Sequence, residues 1–310
     1  MLRALSLCWL LMTAGIRLQA QDSVYIFAYF KNNGQDGLHL AYSHDGYNWK
    51  ALKGDSSFLA PTVGDDKLMR DPCIIRGADG LFHMVWTVSW KEKGIGYASS
   101  PDLLHWSAQR GIAVMAHESG ARNCWAPEIT YDPRHKEYMI YWATTIPGRF
   151  AAGETTGDDH YNHRLYYMTT KDFQQFSGAK LLYDPGFNVI DATIVPDNRR
   201  FIMFLKDETR TPPAKNIRIA QSRRLTGSYS SASAPITGAY WAEGPTVLRI
   251  GNRRIVYFDR YMEHRYGAVT STDLKQWEDI SDKLSMPKGI RHGTVLTISR
   301  EEFDRLSGEH

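Results

Sequence analysis

The stretch YASSPDLLHWS, residues 97–107, joins an apolar run, a hydroxyl-rich turn and an aromatic residue, and this pattern recurs along the chain. The other copies are LAYSHDGYNWK (40–50), YMTTKDFQQFS (167–177), IAQSRRLTGSYS (219–230) and AVTSTDLKQWE (268–278). Their aromatic residues recur at similar intervals; they are Trp49, Trp106, Phe176, Tyr229 and Trp277. Recurrence at such a spacing is typical of solenoids, propellers and arrays. The sequence therefore predicts a repeat protein.

The turn of the repeat contains an aspartate in four of the five copies. Asp45, Asp102, Asp172 and Asp273 each precede the aromatic residue by four positions, whereas the fourth copy has Leu225 there. Aspartate is favoured in turns because its side chain bonds to the backbone two residues on. We expect these aspartates to be structural, and the tryptophans of the repeats to pack between neighbouring units.

A second pair of strand-like runs precedes four of these segments. Each pair consists of a short apolar run, a polar turn and a run rich in aromatic and β-branched residues; the pairs lie at residues 69–87, 124–144, 189–206 and 241–259. Four strands per repeat predict an all-β fold in which every repeat is one blade of a β-propeller. A β-sandwich is the alternative that these patterns leave open.

The two ends of the chain supply the strands that this arrangement lacks. Only VYIFAYF (24–30) precedes the first copy, and RHGTVLTI (291–298) opens at the C-terminal end like the first strand of a blade. Pairing the two removes exposed strand edges. The sequence thus predicts a five-bladed β-propeller whose terminal blade is closed by N- and C-terminal strands, with residues 146–162 as an insertion.

Composition limits the class of protein. The 310 residues have a formal charge of +3 and no long basic run, so nucleic acid is not expected as a partner. Residues 1–20 have the pattern of a secretory signal peptide, too short to span a bilayer. We therefore expect one catalytic domain over residues 21–310, secreted or periplasmic. Cys73 and Cys124 lie outside the leader, and the sequence does not decide whether they pair.

Charged residues occupy the start of each predicted innermost strand. They are Asp71, Glu128, Asp191, Glu243 and His292. The first strand of every propeller blade lies nearest the axis, so equivalent positions are expected to converge on one end of the central channel. Crowded carboxylates shift one another's pKa values, as acid and base catalysis requires. The sequence therefore predicts one pocket of four acids and a histidine.

The motifs RDP (70–72), WAPE (125–128), ID (190–191), EGP (243–245) and RHG (291–293) together resemble those of the family 43 glycoside hydrolases. That family consists of five-bladed propellers that cleave arabinose- or xylose-containing glycans with inversion. The resemblance implies that Asp71 is the general base, Glu243 the general acid, and Asp191 the carboxylate that orients the acid and tunes its pKa. It also implies that His292 lies in the channel and binds water or a metal ion.

Inverting hydrolysis needs an acid and a base about 6.5 to 9.5 Å apart. Glu243 must stay protonated near neutral pH, and we expect an ionised Asp191 beside it to raise its pKa. Trp125 and Trp86 are candidates for stacking on the sugar. Candidates for holding sugar hydroxyls are Arg70, Glu128 and Arg291.

The resemblance implies an exo-acting α-L-arabinofuranosidase or β-xylosidase that acts on an oligo- or polysaccharide as a monomer. It requires no organic cofactor; a structural Ca²⁺ in the channel, near His292, is the one cofactor considered. A galactofuranosidase with the same site and a non-catalytic carbohydrate-binding propeller are alternatives. The retaining families 32 and 68 share the Arg-Asp-Pro triplet, but they require a nucleophile in the preceding blade and a Glu-Cys motif. Here VYIFAYFKNN lacks an acid and Gly244 follows Glu243.

Overall fold

The computed structural model describes residues 23–154 and 157–308, and the described part is almost entirely β-structure. The strands in chain order are β1 Ser23–Lys31, β2 His39–Ser43, β3 Lys50–Ala51, β4 Arg70–Arg76, β5 Phe82–Thr87, β6 Ile95–Ser100, β7 Arg110–Ile112, β8 Trp125–Asp132, β9 Glu137–Thr145, β10 His163–Thr170, β11 Lys180–Tyr183, β12 Val189–Asp197, β13 Arg200–Asp207, β14 Asn216–Ser222, β15 Glu243–Ile250, β16 Arg253–Arg260, β17 Arg265–Ser271, β18 Glu278–Asp279 and β19 Ile290–Ser299. One α-helix, α1 Arg300–Ser307, follows β19, and single 3-10 turns lie at Lys53–Asp55, Asp158–His160 and Ser281–Lys283. The predicted leader lies outside the described residues.

The strands form five antiparallel sheets arranged as a ring. Blade A has the strand order β19-β1-β2-β3, blade B β4-β5-β6-β7, blade C β8-β9-β10-β11, blade D β12-β13-β14 and blade E β15-β16-β17-β18. The innermost strands contact one another in the sequence β19, β4, β8, β12, β15 and back to β19. The predicted five-bladed propeller is therefore confirmed, and the sandwich alternative is wrong.

Blade A is closed by strands from the two ends of the described chain. β1 pairs antiparallel with β19 from Ser23 opposite Ser299 to Lys31 opposite Ile290. Helix α1 then begins with a capping box, in which Ser299 and Glu302 satisfy each other's free backbone amides. Its buried face, Phe303 with Leu306, joins the core between blades A and B. The predicted closure is confirmed.

The repeated aspartates hold the outer turns, as expected. The Asp102 carboxylate accepts hydrogen bonds from the amides of Leu104 and His105 at 2.9 and 2.8 Å, and the Ser100 hydroxyl donates to the same oxygen. The turns at Asp45, Asp172 and Asp273 have the same two amide bonds. These contacts satisfy backbone donors that would otherwise be unpaired. The aspartates are therefore parts of the scaffold.

Blade D departs from the prediction of four strands per blade, because the described residues give it three. Its outer turn begins at Ser222, whose hydroxyl accepts from the amide of Arg224. Counted back from Tyr229, the aspartate position of this copy is Leu225, but counted from the turn hydroxyl of Ser222 it is Arg224, which corrects the sequence-based assignment. An arginine side chain has no acceptor for the two amides. The chain at 230–236 then bonds to β14 only at Ser230, Ser233 and Ile236. The missing aspartate and the missing strand thus occur together.

Five hydrophobic clusters fill the spaces between neighbouring blades. Trp49 of blade A, for example, packs edge-on against Tyr257 of blade E with ring centroids 5.8 Å apart. This confirms the expected packing role of that tryptophan. Cys73 and Cys124 are both buried and both free, so they do not form a disulfide. No described helix is long and apolar enough to cross a membrane.

Candidate active site

The site begins at an irregularity that recurs in the innermost strands. In β4, β8, β12 and β15 the pairing with the next strand shifts by one residue near the strand start, which is the pattern of a β-bulge. The bulged residue has a left-handed φ in each case: 51° at Asp71, 44° at Ala126, 50° at Asp191 and 59° at Gly244. For residues other than glycine such conformations are sparsely populated, and they concentrate at functional sites. The bulges re-aim side chains at one mouth of the channel.

The register corrects the predicted equivalence of the five charged residues. Asp71 and Asp191 occupy the same bulged position, but Glu243 precedes the bulge of its strand, and Glu128 follows the bulge by two residues. His292 lies within the shifted pairing of β19 with β1, between Ile290 and Gly293. A one-residue shift sends a side chain to the other face of a strand. The expectation of four acids in one pocket is therefore wrong.

A cavity of about 270 Å³ opens at this mouth. Seven of the predicted site residues line it: Arg70, Asp71, Trp125, Asp191, Glu243, Arg291 and His292. The remaining lining comes from Thr87, Trp90, Ile190, Lys206, Glu208 and Tyr261. Side chains from all five blades thus meet in one small, highly charged pocket, which we call the catalytic pocket.

Two predicted residues lie elsewhere. Trp86 is fully buried between blades A and B, because it pairs across β5 and β6 with Gly96 and its indole covers that glycine. A Cβ at Gly96 would come within 2.0 Å of the ring. Glu128 faces the interior of the channel, where Thr193 donates to it at 2.7 Å and Tyr141 at 3.2 Å. Neither residue lines the catalytic pocket, so their proposed sugar contacts are corrected.

Asp71 is held as a carboxylate. Thr87 donates a hydrogen bond to its Oδ2 at 2.8 Å, and His292 Nδ1 lies 3.3 Å from its Oδ1. Burial raises the pKa of Asp71, but the hydrogen bond and charge of His292, with the charge of Arg70, bring it down to about 2. Asp71 is therefore ionised over the whole working range of a protein, which leaves it free to accept a proton.

His292 is the positive counterpart of this carboxylate. Burial lowers its pKa, but the bond to Asp71 and the charges of Asp191, Asp71 and Glu128 raise it to about 9. A protonated imidazole has no lone pair with which to bind a metal ion. The described residues also contain no group of three or more His, Cys, Asp and Glu side chains placed to hold one. The expected Ca²⁺ near His292 stays a prediction that this donor set does not fit.

Asp191 supports the strand that carries Glu243. Its Oδ2 accepts a hydrogen bond from the Gly244 amide at 3.1 Å. Burial raises the pKa of Asp191 to about 6, with Glu243 and Asp71 adding to the rise and His292 and Lys206 opposing it. This carboxyl group therefore gains a proton more readily than Asp71 or Glu243 when the pH falls.

Glu243 has two cationic partners. Lys206 Nζ lies 2.9 Å from its Oε2, and Arg291 lies 3.3 Å from its Oε1 while also bonding Asp259 at 2.6 Å. Burial raises the pKa of Glu243, but Lys206, Arg291 and His292 outweigh burial and lower it. The expectation that the pKa of Glu243 is raised, so that it stays protonated near neutral pH, is thus wrong for the ligand-free protein. Direct contact with two cations outweighs one neighbouring anion.

Sequence reasoning missed Lys206 and Asp259, which stand directly opposite the bulged strand heads. Lys206 pairs across the sheet with Ile190, and Asp259 pairs with Glu243. Lys206 is almost wholly buried and bonds Glu208 at 2.6 Å as well as Glu243. A signal was present, because each residue is a charge at the end of an otherwise apolar run, FIMFLK (201–206) and IVYFD (255–259). Buried charges at such positions require partners.

Comparison with known proteins agrees with this fold. A family model described as a probable glycosyl hydrolase domain, related to glycoside hydrolase family 43, matches residues 22–304. The chain therefore belongs to this family, and the resemblance noted in the sequence is confirmed.

Individual relatives are distant. An α-L-arabinofuranosidase of Bifidobacterium longum subsp. longum is 21% identical over 277 residues, which cover 74% of this chain and 25% of that protein. The chain thus spans about a quarter of that relative's length. The solved α-L-arabinofuranosidase from Lactobacillus brevis has a TM-score of 0.54 at 19% identity, covering 68% of this chain and 72% of the other. A thermostable family-43 glycoside hydrolase has a TM-score of 0.55 at 18% identity, covering 75% and 80%.

Proposed function

We propose that the protein is an inverting, exo-acting glycoside hydrolase of the α-L-arabinofuranosidase or β-xylosidase type. One observation carries the proposal: Asp71 and Glu243, which start strands of blades that are not neighbours, line the same pocket of about 270 Å³. Two carboxyl groups on opposite sides of a small pocket are what an inverting mechanism requires. The small volume favours one terminal sugar.

Asp71 acts as the general base in this mechanism. Its ionised carboxylate, held by Thr87 and His292, accepts a proton from the water that attacks the anomeric carbon. The positive charge of His292 fixes the carboxylate in the ionised state, and the bond from Thr87 fixes its direction. General base assistance of this kind is typically worth 10²- to 10⁴-fold in rate.

Glu243 acts as the general acid, and it must first gain a proton. In the ligand-free protein Lys206 and Arg291 keep it ionised. A sugar that takes hydrogen bonds from these two cations would weaken their hold on Glu243 and raise its pKa. Asp191, with its pKa near 6, contributes negative charge beside the Gly244 amide and favours the same proton uptake. Substrate binding thereby prepares the acid.

The aromatic side chains that line the pocket agree with binding of a sugar. Trp90 and Trp125 lie edge to face with ring centroids 5.5 Å apart, and both line the pocket. Aromatic rings stack on the apolar faces of sugars. We further propose that the protein is secreted or periplasmic, on the pattern of residues 1–20, and that it acts as a monomer.

A panel of 4-nitrophenyl glycosides tests the proposal. We expect release of nitrophenol from the α-L-arabinofuranoside or the β-D-xyloside, slowed by roughly 10²- to 10⁴-fold in the Asp71→Asn variant. The loss in Glu243→Gln is expected to be smaller on these substrates than on a saccharide, because nitrophenol is a good leaving group that needs little protonation. Proton NMR of the first-formed sugar is expected to show the inverted anomer. Retention of configuration, or activity on β-D-galactofuranoside alone, would contradict the proposal. Binding of these sugars without any turnover would instead support a non-catalytic propeller.

A further inference from the structure

A second cavity adjoins the catalytic pocket. It has a volume of about 250 Å³ and is lined by Trp90, Trp125, Asp159, Tyr161, His163, Asn188 and Glu208. Trp90, Trp125 and Glu208 also line the catalytic pocket, so the two spaces share a wall. A ligand that extends out of the catalytic pocket past these residues enters the second cavity.

The insertion predicted at 146–162 supplies the far side of this cavity, and internal contacts hold it in place. Arg164, fully buried at the start of β10, donates to the Asn162 side chain and to the Ala152 carbonyl, each at 2.8 Å, and pairs with Asp184. Arg122 donates to the carbonyl of His160 at 3.1 Å. The described part of the insertion is therefore anchored to blade C.

His163 presents an unused acceptor. Its Nδ1 lies 3.0 Å from Asn188 Oδ1, and the Asn188 amide nitrogen donates to the Tyr161 carbonyl, so the oxygen must face His163. The His163 proton therefore sits on Nδ1. Nε2 is buried and has no hydrogen-bond partner among the described residues. A buried acceptor without a partner is costly, and a donor on a ligand would remove that cost.

Aromatic rings surround this acceptor. The Tyr161 and His163 rings are parallel within 2° at 5.1 Å, and Trp125 lies 4.7 Å from Tyr161 and 5.0 Å from His163 between ring centroids. Burial lowers the pKa of His163 to about 3, so its ring is neutral. Apolar faces beside a neutral acceptor match a sugar ring, which combines C–H surface with hydroxyl donors.

We propose that the second cavity binds the sugar residue on the leaving-group side of the scissile bond, packed against Trp125 and Tyr161 with a ring hydroxyl donating to His163 Nε2. Because neighbouring side chains cover Nε2 in the ligand-free protein, these side chains must shift to admit the hydroxyl. This inference rests on the proposed function and narrows it. The natural substrate is then a saccharide in which the terminal sugar is attached to another sugar, and the insertion at 146–162 determines that preference.

Binding of neutral oligosaccharides tests the cavity independently of turnover. Quenching of tryptophan fluorescence by xylotriose, cellotriose and β-1,3-galactotriose would be titrated on the full chain, because Trp90 and Trp125 line the cavity. We expect saturable quenching by at least one of them. The dissociation constant should rise roughly 3- to 10-fold in His163→Phe, which is the effect of losing one hydrogen bond. Tyr161→Ala is expected to raise it at least as much.

Tyr131→Ala is the matched control, because Tyr131 is equally half-buried but lines the opposite end of the channel. Equal weakening by this control, no quenching by any of the three sugars, or unchanged binding in a folded Tyr161→Ala variant would overturn the proposal. If His163→Phe fails to fold, Tyr161→Ala alone decides the outcome.

Kinetics separate this proposal from the proposed function. For His163→Phe, kcat/KM is expected to fall on arabinofuranosyl-xylotriose and to stay within about twofold on 4-nitrophenyl α-L-arabinofuranoside, whose leaving group has no hydroxyl donor for Nε2. An equal fall on both substrates would contradict the second cavity while leaving the glycosidase intact. Absence of turnover by the wild-type protein on every glycoside would contradict the proposed function, and the titrations would still report on the cavity.

Discussion

The two ends of the central channel differ in chemistry although the same five strands line both. At one end is the catalytic pocket of about 270 Å³, lined mainly by charged side chains. At the other end is a cavity of about 470 Å³, lined mainly by aliphatic residues and by threonines of β8, β12, β15 and β19. Glu128 lies within the channel and lines only the second of these spaces.

Backbone irregularity accounts for the difference. The bulges occur near the starts of the innermost strands, so only that end has left-handed residues such as Asp71 and Asp191 directed into the mouth. Further along, the strands are regular, and the register places Glu128, Thr193 and Thr246 at matching positions. The one-residue bulge near the start of these strands thus accounts for the charged pocket at one end of the channel, and the regular strands beyond it form the structural end.

Removal of the base is expected to have the largest effect. Asp71→Asn should lower kcat by roughly 10²- to 10⁴-fold, because the amide cannot accept the proton of the attacking water. The melting temperature should also fall, because buried His292 loses its charged partner, although the amide oxygen still accepts from Thr87. Initial-rate measurements with and without azide check this. Azide is expected to rescue Asp71→Asn; rescue of Glu243→Gln alone would reverse the two roles.

Removal of the buried cation near Glu243 is expected to have the next largest effect, this time on the free energy of unfolding. Lys206→Met leaves Glu243 and Glu208 without their shared partner, and breaking a buried ion pair typically costs about 3–5 kcal/mol. The pKa of Glu243 should rise, so in the variant the carboxyl group is already protonated at mildly acidic pH, and this recovers part of the loss. Urea denaturation should therefore show a larger destabilisation at pH 8 than at pH 5.

Lys283→Met is the control for this variant, because Lys283 pairs with Glu278 on the surface. It should leave the urea midpoint unchanged at both pH values. A Lys206→Met protein as stable as the wild type at pH 8 would show that the charged end does not depend on this contact.

The pair of His292 and Asp71 predicts how stability responds to alkaline pH. The pKa of His292 is raised to about 9 in the folded protein from an ordinary value near 6.5, so its stabilising contribution is complete below pH 6.5 and is lost as the pH rises through 9. The loss is on the order of 3 kcal/mol. His292→Gln should flatten this part of the stability profile. Identical profiles for both proteins between pH 6 and pH 10 would contradict the charge assignment.

The repeats, the five blades and the closure could all be predicted from sequence, because each depends on local patterns that recur. The pocket could be predicted only in part. Asp71, Asp191 and Glu243 were found through their motifs, but a pattern of motif spacings does not show a one-residue bulge. Glu128 was therefore placed in the wrong part of the channel.

Trp86 illustrates a second limit. An aromatic residue near the end of a strand fits either a sugar platform or a core, and only the pairing with Gly96 decides between them. The pKa of Glu243 was missed for a related reason. Its partners Lys206 and Arg291 come from blades D and A, and no local pattern brings them together.

The smallest effect on activity is expected at Glu128, and it is the sharpest test of the two-ended channel. Glu128→Gln should change kcat/KM by less than about threefold, which corresponds to less than about 0.7 kcal/mol in the activation barrier. Burial raises the pKa of Glu128 from 4.5 to about 7, so this group destabilises the folded protein increasingly as the pH rises from 4.5 to 7 and most above pH 7, and the amide removes this cost. The gain in stability of the variant over the wild type should therefore be larger at pH 8.5 than at pH 5. Thermal unfolding of both proteins at both pH values would measure it. Thr193 and Tyr141 can still donate to the amide oxygen, so the local packing is kept. A hundredfold loss of activity in this variant would place Glu128 in the catalytic machinery after all, and the division between a charged end and a structural end would fail.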